Sequence, residues 1–207
     1  MCSPLLKVSN LNYSFAKNTK TTHVIRDVNF EIYAGEVLGL VGESGSGKST
    51  IGNLLIGRLA PSSGEIYFDG KDLSKLSKSE RRELKRDIQM VFQDPYSALN
   101  PRMTIQEAIE EPLVVFKEGN KKKRSDRVDE LIQLVGLDSS HKYRYPHELS
   151  GGQRQRVVIA RALALNPRFL ICDEPIAALD VSIQAQIINL LKHLQSKLNL
   201  TYLFISH

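Results

Sequence analysis

Cysteine is scarce: the 207 residues hold two, Cys2 at the terminus and Cys172 inside an apolar run. A pair so placed builds no disulfide framework and points to a reducing compartment. No uninterrupted apolar run approaches the roughly 18 residues that would suggest a membrane span. The opening MCSPLLKVSN also lacks the apolar stretch of a signal peptide. Any membrane role is therefore expected to run through a partner. Internal repeats and low-complexity tracts are missing too, which excludes repeat and fibrous architectures. Neither sign of charge dominates, with 28 basic against 23 acidic residues and a net charge of +5. That balance fits a nucleotide or an anionic surface without singling out either. With 42% hydrophobic and 25% charged residues, the chain has the composition of a soluble globular protein. It is long enough to bury a core, as one unit or with a smaller lobe attached.

The first third is rich in strand patterns. Leu5 to Val8 is a short apolar stretch, Val28, Phe30 and Ile32 alternate with polar neighbours, and Glu65 to Phe68 looks similar. VLGLV at 37–41 is apolar on both faces, the pattern of a central parallel strand, and a glycine-rich turn follows it. Ser77 three residues before Glu80 predicts a capped surface helix near 78–86, and IQMVF at 88–92 predicts another buried strand. From Asp94 to about Leu149 the β pattern fades. TIQEAIEEPLVVF and SDRVDELIQLVGL have helical spacing, with Gly136 near the end of the second. Alternation then returns: a helix from Gln153 to Leu165, a buried strand FLIC at 169–172, a helix over 181–198 and an apolar strand at 202–205. Strands alternating with helices imply a parallel sheet covered on both faces.

Gly42-Glu43-Ser44-Gly45-Ser46-Gly47-Lys48-Ser49-Thr50 fits the phosphate-binding pattern G-x-x-x-x-G-K-[ST], between a buried strand and a helix as that motif requires. Glycines let backbone N–H groups close on phosphate oxygens, and the helix starting there adds the favourable end of its dipole. Lys48 can reach the β and γ phosphates, and the Ser49 hydroxyl can ligate Mg2+. Asp173 and Glu174 leave the apolar strand FLIC, and in a parallel sheet the carboxyl ends of the strands share one crevice. Asp173 would hold Mg2+, and Glu174 would orient and polarise the attacking water. A second Ser-Gly-Gly, in LSGGQRQR at 149–156, opens another helix with another anion-binding backbone.

The phosphate loop at 42–50, LSGGQ at 149–153 and the strand-borne acids at 169–174 occur in that order over essentially the whole chain. So arranged, they resemble the ATPase subunit of an ABC transporter, and LSGGQ is the piece that other P-loop enzymes lack. Gln93 in MVFQDP matches that family's Q-loop, Ala178-Leu179-Asp180 its D-loop, and His207 in FISH its switch histidine. FQDPYSALNPRMT is similar to the corresponding segment of the oligopeptide, dipeptide and nickel importers.

The resemblance implies an α/β fold: a P-loop NTPase core with a parallel sheet, an N-terminal antiparallel β subdomain and a helical subdomain inserted at about 94–160. All of it forms one nucleotide-binding domain over 1–207. It further implies ATP and Mg2+ as cofactors and a head-to-tail dimer with a second cassette, identical or related. In that dimer Ser150, Gly151, Gly152 and Gln153 grip the γ-phosphate held by the opposite phosphate loop, and Asp180 acts across the interface. Gln93 contacts Mg2+ and water, and His207 the γ-phosphate or the water. Phe15 falls where an aromatic stacks on adenine, although it or Tyr13, on the same side of a strand, could be a core aromatic.

Expected partners are transmembrane permease subunits, which would hold this chain at the cytoplasmic face of the membrane, and an external solute-binding protein, with no nucleic acid. The alternative is a soluble ATPase of this family acting on nucleic acid or the ribosome, which would usually carry a long coiled-coil insertion or a second cassette. The chain departs from the pattern at Ala177, where the family commonly has Ser before Ala-Leu-Asp. Family members continue past the switch histidine, so the resemblance also implies a chain truncated after His207 that binds ATP but turns it over poorly. The run Lys121-Lys122-Lys123-Arg124, with no aromatics interleaved, reads as a solvated loop rather than a binding patch.

Overall fold

The computed structural model describes residues 3–17 and 20–206. They form two compact units. The first takes in the described residues of Met1–Met90, Arg168–Asp173 and Asn199–His207, and the second Val91–Pro167 and Glu174–Leu198.

The first unit holds two sheets. Strands β1 (Leu6–Lys17), β2 (Lys20–Ile32), β4 (Ser63–Phe68) and β5 (Lys71–Asp72) form an antiparallel sheet in the order β2-β1-β4-β5. β1 is far longer than the apolar stretch at 5–8. Its pairing with β2 slips between Val8 and Leu11 and again before Ser14, and bulges of this kind erase the period of two by which a strand is recognised. Asn10 and Asp27 take positive φ there, and the Asn10 amide donates to Asp27 Oδ1 at 2.8 Å.

The other sheet contains β3 (Val37–Val41), β6 (Ile88–Val91), β7 (Phe169–Asp173) and β8 (Thr201–Ser206), in the order β3-β8-β7-β6, with β3–β8 and β8–β7 parallel. VLGLV was read as a central strand. It lies instead at the edge of this sheet among the described residues, with Val37 and Val41 exposed. A strand's hydrophobicity reports burial of its faces but not which neighbours pair with it. Helix α1 (Lys48–Leu55) buries Ile51, Leu54 and Leu55 and lays Gly52 against Met90, Ile171 and Ile205. Phe68 and Phe169, both buried, meet with ring centroids 6.3 Å apart. The surface helix α2 (Lys78–Asp87) carries the capping box foreseen at Ser77 and Glu80.

Helices make up the second unit: α3 (Pro95–Ala98), α4 (Ile105–Val115), α5 (Lys121–Leu134), α6 (Gly151–Leu163) and α7 (Val181–Leu198), with 3-10 turns at Ser139–Tyr143 and Pro146–Glu148. α6 packs against α3, α4, α5 and α7, burying Val157, Val158, Ile159 and Ala160. α5 ends with Gly136 at φ 70°. The basic run at 121–124, read as a loop, is the first turn of α5. Asn120 caps that turn by accepting from Lys123 N–H at 3.0 Å, and Arg124 reaches back to Glu110 on α4 at 2.8 Å. Four like charges give no apolar period to read, so the cap and the cross-helix ion pair decide the conformation. No helix among the described residues is long and apolar enough to cross a membrane.

Candidate functional site

In the first unit, β3 runs into the glycine loop and the loop into α1. Gly47 sits at φ 96°, and a Cβ there would lie 2.6 Å from Ile25 Cδ1 and 3.2 Å from the Val24 carbonyl of β2. Only glycine meets both conditions. α1 begins without a side-chain cap and with no acid in its first turn, so its leading N–H groups stay available to an anion. Glu43, Ser44, Gly45 and Ser46 are exposed, and Thr50 is half-buried within α1.

The buried Lys48 folds over the loop, its ammonium donating to the carbonyls of Gly42 at 2.7 Å and Glu43 at 2.8 Å. Ser49 Oγ donates to Asp173 Oδ1 at 3.0 Å. This bond joins the phosphate loop to the buried acid at the end of β7, 124 residues away. Phe15 is 48% exposed and meets the buried Tyr13 edge-on, centroids 4.8 Å apart. Tyr13 is thus the core aromatic of the two, and Phe15 the one with a face free to stack.

In the second unit, Gln93 Nε2 donates to Glu174 Oε2 at 2.7 Å. Glu174 is buried and holds φ at 47°, a left-handed conformation that costs a non-glycine residue on the order of 1 kcal/mol. The turn closes through Ala177 N–H to the Glu174 carbonyl at 3.2 Å. Ser150 caps α6. Its Oγ accepts from Gln153 N–H at 3.3 Å while Gln153 Oε1 accepts from Ser150 N–H at 2.9 Å, a reciprocal capping box.

α6 therefore starts at Gly151 rather than Gln153. The two glycines also serve packing. A Cβ on Gly152 would lie 2.6 Å from Ile183 Cγ2 of α7, and one on Gly151 3.3 Å from Leu179 Cδ2. The Asp180 carbonyl accepts from Ile183 and Gln184 N–H, both at 2.9 Å, as α7 begins. His207 lies outside the described residues.

Several residues around these motifs were not picked out from the sequence. The buried Arg154 donates to the Pro146 carbonyl at 3.1 Å, lies 3.6 Å over the Tyr96 ring and bonds the Tyr96 hydroxyl. Tyr96 follows Gln93 closely, in α3. Asp94 caps that helix, and the N–H groups of Tyr96 and Ser97 with the Ser97 hydroxyl hold its carboxyl below the usual range. Gln155 is fully buried, and its amide has no partner among the described residues. Arg154 and Gln155 are polar residues in a helix with a buried face, a mismatch visible in the sequence. His141, which bonds Gln153, left no such trace. Burial pushes the Cys172 thiol up to about 12, which makes it a packing group, as its place in the strand implied.

Residues 25–177 match the model of the family described as ABC transporter. The chain is 51% identical over 209 residues to the oligopeptide transport ATP-binding protein OppF of Bacillus subtilis, covering 100% of this chain and 68% of that one. It is 51% identical over 194 residues to AppF of the same organism, described in the same words, covering 93% of this chain and 59% of the other. Among solved structures, the ATP-binding cassette MJ0796, a dimer in a post-hydrolysis state with ADP and Pi, superposes with a TM-score of 0.87 at 34% identity. The match covers 98% of this chain and 88% of that one. With its phosphate loop bonded to the acid of β7 and an LSGGQ box opening α6, the chain belongs to the ABC transporter family and carries that family's ATP-binding ATPase cassette.

Proposed function

We propose that this chain hydrolyses ATP as the motor subunit of an importer for oligopeptides or dipeptides. The observation that carries the chemistry is a pair of hydrogen bonds, Ser49 to Asp173 and Gln93 to Glu174. Each member of the consecutive acid pair is held by one motif of the family. Glu174 takes the proton from the attacking water as the new P–O bond forms at the γ-phosphorus and the bond to the β-bridging oxygen breaks, leaving ADP and phosphate. Gln93 orients that carboxylate, and its amide oxygen serves as acceptor for water or cation. Lys48 and the N–H groups of the loop hold the phosphates, and Phe15 stacks on the adenine.

Mg2+ fits the residues present. The Ser49 hydroxyl and Asp173 carboxylate, 3.0 Å apart, are hard oxygen donors of the kind that bind this ion together with phosphate oxygens. Gln93 adds a third. When bound, the ion neutralises charge on the β and γ oxygens. His207 is assigned to the γ-phosphate by its motif alone.

Ser150 and Gly151–Gln153 then act on the ATP of a second cassette, identical or related, with Asp180 at the joint. Permease subunits hold this chain at the cytoplasmic face of the membrane, and a solute-binding protein on the external side completes the assembly. The oligopeptide-transport relatives favour this reading over action on nucleic acid or the ribosome.

Glu174→Gln tests it. The expected outcome is a turnover loss of about 10²–10⁴-fold together with an ATP-dependent dimer visible by size-exclusion chromatography. Hydrolysis at the parent rate would remove Glu174 as the base.

A further inference from the structure

The capping box at Ser150 is held by a group outside the motif. Gln153 Nε2 lies 3.2 Å from His141 Nε2, and His141 Nδ1 lies 3.1 Å from the Asp138 carbonyl oxygen. A carbonyl only accepts, so Nδ1 carries the proton and Nε2 presents its lone pair. That lone pair calls for an N–H, which turns the amide nitrogen of Gln153 toward His141 and its oxygen toward Ser150 N–H, 2.9 Å away. The reversed amide would set acceptor against acceptor at His141 and donor against donor at Ser150. One relay of hydrogen bonds therefore runs from the Asp138 carbonyl through the imidazole and the amide to the backbone of Ser150.

We infer that His141 is a positioning residue of the signature: by accepting from Gln153 it locks the amide that fixes Ser150 at the head of α6. Ser150 Oγ accepts from Gln153 N–H at 3.3 Å, so it keeps its own proton to donate. The lock aims that hydroxyl and the N–H groups of Gly151 and Gly152 as a set. Without the acceptor the amide rotates between two orientations, one of which opposes the cap, and the set loses its alignment before any phosphate arrives. The inference rests on the reading that this signature grips the ATP of another cassette. Its effect therefore belongs to dimer formation and not to nucleotide binding by one chain.

The test uses the Glu174→Gln chain, in which ATP-bound dimers are expected to persist. His141→Leu removes the acceptor, His141→Lys replaces it with a donor, and His141→Gln restores an acceptor oxygen near the place of Nε2. ATP-driven dimerisation is measured by analytical ultracentrifugation, and ATP affinity of the single chain with a fluorescent ATP analogue.

Leu and Lys are expected to raise the dimer dissociation constant about fivefold to tenfold, the worth of one hydrogen bond, while Gln stays within about twofold of the parent. All four proteins should bind the analogue alike. Dimerisation of the Leu and Lys variants at the parent's affinity overturns the inference, and so does failure of Gln alongside them, because the ring's shape would then matter and not its lone pair. Should the Leu variant not fold, the contrast between Lys and Gln decides alone. A Glu174→Gln parent that stays monomeric with ATP overturns the gripping of ATP between cassettes itself, a result distinguishable from failure of the histidine's role.

Discussion

Gly47 shows what one residue contributes to the nucleotide site. Its φ of 96° and the 2.6 Å separation between an added Cβ and Ile25 Cδ1 are independent obstacles, one in the backbone and one in packing against β2. Gly47→Ala meets both. It should lower unfolding free energy by about 1–3 kcal/mol and weaken ATP binding further, because relief of the contact moves the N–H groups that hold the phosphates. Urea unfolding and titration with a fluorescent ATP analogue read the two effects, and an alanine variant matching the parent in both would refute the strain. The loop itself was legible in the sequence because glycine and lysine spacing is a local matter. So were Asp173 and Glu174, which end an apolar run. His141 was not legible: its contact with Gln153 spans 12 residues and depends on how a 3-10 turn meets α6. The packing role of Gly152 also stayed hidden, since Ile183 lies on another helix.

Among the helices, three share one N-terminal device in two chemical versions. α2 opens with Ser77 and Glu80, α4 with Thr104 and Glu107, and α6 with Ser150 and Gln153. The amide appears where the proposed function puts a phosphate, since a carboxylate in the first turn of α6 would repel it. The acidic boxes titrate. Thr104 N–H, and after it the Thr104 hydroxyl, hold the Glu107 carboxyl below its ordinary 4.5. A depressed folded value means stability that is fully present above the unfolded value and lost as pH falls through the folded one. The stability advantage of the parent over Glu107→Gln should therefore stay constant from pH 8 to 6 and shrink below about 4.5. Urea midpoints at fixed pH values check this, and a gap that persists unchanged into acid would show that the charge plays no part. The Ser77 box was readable because its four residues are contiguous. The start of α5 was not, because its anchors are Asn120 and the distant Glu110.

At the scale of the whole molecule, the proposed reaction needs two copies of everything in one chain, because the phosphate loop and the signature of a given protomer serve different ATP molecules. A closed twofold pair makes this possible, since the patch offered by one subunit is the patch its partner offers in return. The arrangement has a consequence that no site contained in one chain can imitate. Lys48→Ala disables the loop, and Ser150→Asp disables the signature by setting a carboxylate against the phosphate while leaving an exposed N-cap acceptor in place. Each variant alone gives dimers with no complete site. In a mixed pair both defects fall on one ATP, and the other ATP meets an intact loop and an intact signature. With random pairing and independent sites, an equimolar mixture of two inactive proteins should recover about a quarter of the parent's hydrolysis. Steady-state phosphate release across mixing ratios measures it, with a maximum at equal amounts. Activity that never exceeds the sum of the separate variants would show that this chain does not form a composite site with itself, and that its partner is a different cassette.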